Sequence, residues 1–316
     1  MEENEHDLLV RSMTWEADGV LSVVLTHPDG APLPPWEPGA HLELDLGKWI
    51  RQYSLCGKPG DTETYRIGIL YQPDGRGGSA YVHEELRPGQ TVRTRGPRNR
   101  FPLVDAPRYL FLAGGIGITP LLPMLAQASA QNIPWHLTYG GRTQATMAFL
   151  PELAPYGDAV TIVPADTAGL PDLDSLLNTP TPDTAVYCCG PEPLLTAVEN
   201  LCTTWPDGSL HTERFAAAPR DKSQDGDDTA FEVECARSAL TVNVSATESI
   251  VDALERSGIS VPTACGEGIC GTCETPVLAG TPDHRDDLLT DTEQASNRTM
   301  MPCVSRSLSN RLVLDL

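Results

Sequence analysis

A chain of 316 residues has room for two or three domains with separate cores, and its 43 Asp and Glu against 22 Lys and Arg leave a net charge of −21. That field opposes nucleic acid and anionic membrane surfaces and favours docking to a basic protein face, although a plain solvated surface accounts for it equally well. The acidic start Met1-Glu2-Glu3-Asn4-Glu5-His6-Asp7 lacks the basic, then apolar pattern of an export signal, and the uncharged run from Tyr109 to Gly141 is broken by Gly114, Gly115, Gly117, Pro120 and Pro123; no export, no membrane span and a cytoplasmic location are expected.

From about Leu8 to Leu103, short apolar stretches alternate with turn residues. Leu21–Leu25 and His41–Leu46 read as strands, the second alternating, and several strands without helices predict a small antiparallel β-barrel over residues 1–104. In Arg51-Gln52-Tyr53-Ser54-Leu55, a strand sets Arg51, Tyr53 and Leu55 on one face and Gln52 and Ser54 on the other. A cation beside a ring suits a planar anionic ligand; a barrel strand that merely contains a Tyr is the alternative. The stretch Asp74-Gly75-Arg76-Gly77-Gly78-Ser79 leads into a predicted helix start, where free N–H groups attract phosphate, and a flexible surface turn explains the same residues.

The apolar run Tyr109–Ala113 delivers Gly114, Gly115 and Gly117 to a helix predicted over Leu121–Ala130, an arrangement suited to a pyrophosphate although it is not G-x-G-x-x-G. Strands over Trp135–Tyr139, Val160–Val163 and Ala185–Cys189 alternate with helical segments near Leu150 and over Leu194–Cys202, which predicts an open α/β sheet over residues 105–215. Ligands of such sheets bind beyond the carboxyl ends of the strands, so Cys189 and Gly190 face the crevice of Gly114–Thr119, while Cys188 reads as a small buried hydrophobe. Arg142 and Thr143 suit a 2′-phosphate, and no acid stands where one would mark a 2′-hydroxyl.

Residues 216–230, small and charged, are expected to be a linker. Beyond it Phe231–Cys235 and Leu240–Val244 alternate as a hairpin, Ser249–Ser257 reads as a short helix ended by Gly258, and Arg311–Leu316 as a last strand, a succession that looks like the α+β β-grasp ferredoxin fold over residues 231–316. Within it Cys265, Cys270 and Cys273 are spaced C-x4-C-x2-C, with Cys303 far behind, the ligand spacing of a plant-type 2Fe-2S cluster. Gly266, Gly268 and Gly271 let the backbone wrap closely. A structural zinc site or unconnected thiols are the alternatives; only Cys270 and Cys273 form the C-x2-C pair that zinc favours. Four of nine cysteines so assigned leave no even disulfide framework, in keeping with a reducing compartment.

Together, Arg51–Leu55, the Gly-rich loop ending at Ser79 and Gly96-Pro97-Arg98-Asn99 before Phe101 resemble the flavin domain of the ferredoxin reductase superfamily, and most closely the phthalate dioxygenase reductase and vanillate demethylase reductase family. Gly114–Pro120 and Cys189-Gly190-Pro191 resemble its nicotinamide signatures, so the likeness spans essentially the whole chain. The resemblance implies that Arg51, Gln52, Tyr53 and Ser54 contact the flavin and that Gly77, Gly78 and Ser79 cradle its phosphate, FMN rather than FAD because the loop is compact and no adenine pocket is evident. It also implies that Thr119 and Cys189 lie by the nicotinamide, neither as a nucleophile, and that Phe215 packs over the flavin; a plain core Phe is the alternative. The family favours NADH, against the hint of NADPH from Arg142 and Thr143. A nicotinamide gives up two electrons at once and the cluster accepts one, so a flavin stands between them. The implied partner is a terminal oxygenase, Rieske-type or a haem monooxygenase, served by a monomeric reductase. A redox-sensing flavo-iron-sulfur binding protein is the reading from another class, told apart by turnover of an artificial acceptor.

Overall fold

The computed structural model describes residues 5–217 and 228–316, so most of the expected linker lies outside the described residues. The chain divides into two compact units, Met1–Arg214 and Phe215–Leu316.

The first unit contains two sheets. Strands β1 (Glu5–Ala17), β2 (Val20–Thr26), β3 (Ala40–Asp45), β4 (Ile50–Ser54), β5 (Thr64–Leu70) and β6 (Thr91–Asn99) pair in the order β4-β3-β6-β1-β2-β5. Every pairing is antiparallel, and a bridge between Leu55 and Ile67 joins the two outer strands. Leu8, Val10, Val23, Leu25, Leu42, Leu44 and Ile67 close the interior at 0 % exposure, each contributing about 1.5–3 kcal/mol by leaving water. The alternation of His41–Leu46 correctly sends Leu42 and Leu44 inward, but it suggests that His41 and Glu43 meet solvent, and they do not. Both are buried on the outer face, where Arg95 Nη1 donates to Glu43 Oε1 at 3.1 Å.

The second sheet consists of β7 (Arg108–Gly114), β8 (Trp135–Gly141), β9 (Val160–Pro164), β10 (Thr184–Cys189) and β11 (Leu210–Glu213), in the order β11-β10-β7-β8-β9 and parallel throughout. Tyr187 and Cys189 enter one core with Phe111 and Leu125, while Val186 and Cys188 enter another with Leu195 and Trp205. A parallel sheet covered on both faces requires this double burial, which makes its strands read as continuous apolar runs. From β7 the chain runs outward through β8 and β9, then returns to place β10 on the other side, so the strand order reverses between β7 and β10. That gap is where such sheets bind ligands. The two sheets of this unit touch at Gly68, where a Cβ would stand 2.7 Å from Thr119 Cγ2, and at Arg66, whose guanidinium donates to Glu152 through Nη1 and Nη2, at 2.7 Å each.

In the second unit β12 (Phe231–Cys235), β13 (Leu240–Val244), β14 (Thr275–Ala279), β16 (Thr299–Met300) and β18 (Arg311–Leu314) form one sheet in the order β13-β12-β18-β14-β16; β15 (Pro282–Asp283) pairs with β17 (Arg306–Ser307). The helix Ile250–Arg256 starts at a capping box in which Ser249 Oγ accepts the Asp252 N–H and the Asp252 side chain reaches back to the Ser249 N–H. Its Ile250, Ala253 and Leu254 pack on Val233, Val244 and Leu312. Among the described residues no helix is long and apolar enough to cross a membrane.

Candidate functional site

Pairing of β3 with β4 sets Ser54 opposite His41, Gln52 opposite Glu43 and Arg51 opposite Leu44. Arg51 folds over the Gly-rich loop: its Nη2 donates to the Arg76 carbonyl at 3.1 Å, and a Cβ on Gly78 would stand 2.7 Å from its Cγ. Gly77 has φ +86°, and a Cβ there would approach the Trp49 ring to 2.8 Å. Glycine is required at both places for the loop to lie this close. Ser79 Oγ accepts the Gln72 N–H at 3.1 Å, tying the loop to the end of β5. Burial pushes the Tyr53 phenol up to about 12 against the pull of Arg51. Arg51, Gly77, Gly78 and Ser79, distant in sequence, thus form one local assembly.

At the carboxyl ends of β7 and β10 two backbones meet. A Cβ on Gly190 would lie 2.9 Å from Gly114 Cα, one on Gly114 would lie 2.5 Å from Pro191 Cδ, and one on Gly117 would lie 2.2 Å from the Cys189 carbonyl oxygen. Gly115 turns the chain at φ +54° into the helix Ile118–Ala130. Thr119, 1 % exposed, donates its hydroxyl to the Ile116 carbonyl at 2.9 Å. Arg142 follows β8, and its carbonyl accepts the Asp166 N–H at 3.1 Å. Phe215 is 41 % exposed and opens the second unit.

Sequence reasoning missed Glu213, which joins the two motif sets. The parallel register of β11 on β10 places it beside Cys189. Ser54 Oγ donates to Glu213 Oε2 at 3.2 Å, and Cys189 Sγ points to the same oxygen at 3.9 Å. Although the residue keeps some exposed surface, its carboxyl sits among packed neighbours, and burial pushes it up to about 8 against the hydrogen bonds from Ser54 and Cys189. Burial first, and the Glu213 charge second, hold the Cys189 thiol well above its ordinary value. A carboxyl in this condition can keep or release one proton at neutral pH. The available signal was register: reading Leu210–Glu213 as a strand parallel to Val186–Cys189 would have set Glu213 against Cys189.

In the second unit the four cysteines converge. Cys265 shares hydrogen bonds with Cys270 and Cys303, and Cys273 Sγ lies 3.3 Å from Cys303 Sγ. These mutual bonds pull Cys265 and Cys273 down and push Cys270 and Cys303 up. Gly266, Gly268 and Gly271 adopt φ of 65°, 73° and 74°, and the N–H groups of Glu267 and Thr272 donate to Cys265 Sγ and Cys270 Sγ at 3.3 and 3.5 Å. Four sulfurs, a loop at positive φ and N–H groups aimed at sulfur are the donor set that an iron-sulfur cluster needs. Among the described residues no three His, Cys, Asp or Glu side chains are set to hold a single metal ion.

Residues 233–308 match the 2Fe-2S iron-sulfur cluster binding domain family. Phenoxybenzoate dioxygenase subunit beta from Ectopseudomonas oleovorans is 42 % identical over 313 residues, 98 % of this chain and 97 % of that protein. Among solved structures, phthalate dioxygenase reductase, a modular structure for electron transfer from pyridine nucleotides to [2Fe-2S], is 36 % identical with a TM-score of 0.73, over 99 % of this chain and 98 % of that one. An intact type IV self-sufficient cytochrome P450 monooxygenase is 43 % identical with a TM-score of 0.92; the match covers 99 % of this chain and 41 % of the P450. The class so defined is the flavin- and nicotinamide-dependent reductases that carry a 2Fe-2S domain. Within it, the chain belongs to the phthalate dioxygenase reductase family.

Proposed function

We propose that this chain is the reductase component of a multicomponent oxygenase, passing electrons from NADH through FMN and a 2Fe-2S cluster to a separate terminal oxygenase of the Rieske type. The observation that carries this reading is the meeting of Ser54, from the flavin motif, and Cys189, from the nicotinamide motif, on the single carboxyl of Glu213. When bound, FMN takes two electrons from a nicotinamide and gives them up singly, which lets it serve a one-electron cluster.

The six-stranded sheet with its bridged outer strands is read as the flavin barrel, and the sheet and helix around the cysteines as the β-grasp fold. Arg51, Gln52, Tyr53 and Ser54 would hold the isoalloxazine and ribityl chain, and Gly77, Gly78 and Ser79 the phosphate. Gly114, Gly115, Gly117, Gly190 and Pro191 would shape the pyrophosphate crevice, Thr119 and Cys189 would flank the nicotinamide, and the resemblance gives Phe215 the place over the flavin. The family resemblance supports NADH, while Arg142, following β8, keeps NADPH as the alternative. Cys265, Cys270, Cys273 and Cys303 would bind the iron.

The likeness to part of a P450 favours a second reading, in which the acceptor is a haem monooxygenase. Reconstitution with each class of oxygenase decides between them: NADH-driven turnover with the Rieske protein supports the first reading, and turnover with the haem protein alone supports the second.

A further inference from the structure

The segment Asp283-His284-Arg285-Asp286-Asp287 packs against both stretches that carry the cysteines. On one side a Cβ on Gly268, between Cys265 and Cys270, would stand 3.0 Å from Asp286 Cα and Cβ, and the Asp287 N–H donates to the Gly268 carbonyl at 3.2 Å. On the other side Ser305, just beyond Cys303, donates its hydroxyl to Asp286 Oδ1 at 3.4 Å and accepts the Arg285 N–H at 3.1 Å. Asp286 Oδ2 accepts the Leu289 N–H at 2.8 Å, and the side chain has 0 % exposure.

The charge arrangement matters as much as the contacts. Arg285, next in sequence, turns its guanidinium to Asp228 and Asp283, at 2.7 and 2.6 Å. Asp286 faces a hydroxyl, a backbone N–H and the His284 ring, whose Nδ1 lies 3.7 Å away and whose ring nitrogens have no hydrogen-bond partner. Among the described residues no Lys or Arg forms an ion pair with Asp286. A buried carboxylate without a guanidinium partner opposes the arrival of an electron nearby, because its charge is poorly screened there.

We propose that Asp286 is a positioning residue of the iron-sulfur site, bracing the loops around Gly268 and Ser305 together and holding a negative charge beside them that sets the cluster's readiness to be reduced. The proposal rests on the iron-sulfur reading of the four cysteines. It is tested on the full chain by iron and sulfide analysis and by redox titration of the cluster, followed by electron paramagnetic resonance, for wild type, Asp286→Asn and Asp286→Ala. Asn keeps an acceptor for the Leu289 N–H and a polar partner for Ser305 but loses the charge. It should retain iron and sulfide while shifting the one-electron equilibrium about tenfold toward the reduced form, ~59 mV; Ala should lose iron and sulfide. A wild-type equilibrium in Asp286→Asn, or a full iron complement with wild-type potential in Asp286→Ala, would overturn the proposal alone. A parent protein without iron and sulfide would overturn the underlying reading and the proposal with it.

Discussion

Glu213 shows how much one residue changes the chemistry of this site. Its carboxyl, pushed up to about 8 from 4.5, stays protonated in the folded chain at pH values where the unfolded chain has released the proton. The stabilisation is therefore complete below about 4.5 and is lost as pH rises through about 8, at up to ~1.4 kcal/mol per pH unit. Glu213→Gln, neutral throughout, should flatten this fall. Denaturant unfolding of flavin-free wild type and variant between roughly pH 5 and 9 measures the difference, in which cysteine titration common to both cancels. A difference that does not change with pH would contradict the assignment. No local pattern marks Glu213, because its burial comes from β10 and β4, remote in sequence. The cysteine cluster was legible for the opposite reason: three of the four cysteines fall on one short loop, and the spacing that suits a cluster is itself local.

Among the elements, the turn from β7 to the helix Ile118–Ala130 is the most tightly constrained. A Cβ on Gly117 would meet the Cys189 carbonyl carbon at 2.4 Å and its oxygen at 2.2 Å, and backbone cannot move aside as a flexible side chain would. Gly117→Ala should raise the KM for NADH by about tenfold or more and cost about 1–3 kcal/mol of stability. Steady-state kinetics and thermal unfolding measure both, and near-wild-type values for each would refute the close approach. Strand and helix assignments here were readable because the glycines interrupt an apolar run. The sequence was less informative for β3. Its alternating pattern promised one wet face, and the arginines of β6 cover it instead. Likewise β1, thirteen residues from Glu5 to Ala17, includes part of the acidic start, since cross-strand partners such as Arg93 and Arg95 compensate Asp7 and Glu5.

At the scale of the whole molecule, the two units carry separable tasks. Cys270→Ala should leave NADH-dependent flavin reduction in the first unit intact while abolishing delivery to an oxygenase. Rapid-mixing absorption and coupled oxygenase turnover test the two halves, and surviving delivery would mean that electrons leave from the flavin. The order of carriers was legible from cofactor chemistry alone, whereas the choice of acceptor depends on a surface that composition does not specify. The most direct test of the relay is anaerobic titration of the purified protein with NADH, followed by visible absorption. The relay predicts rapid bleaching of flavin and iron-sulfur bands together, with about three electrons taken up per chain, two by the flavin and one by the cluster. Bleaching of the flavin alone, at about two electrons, would contradict it.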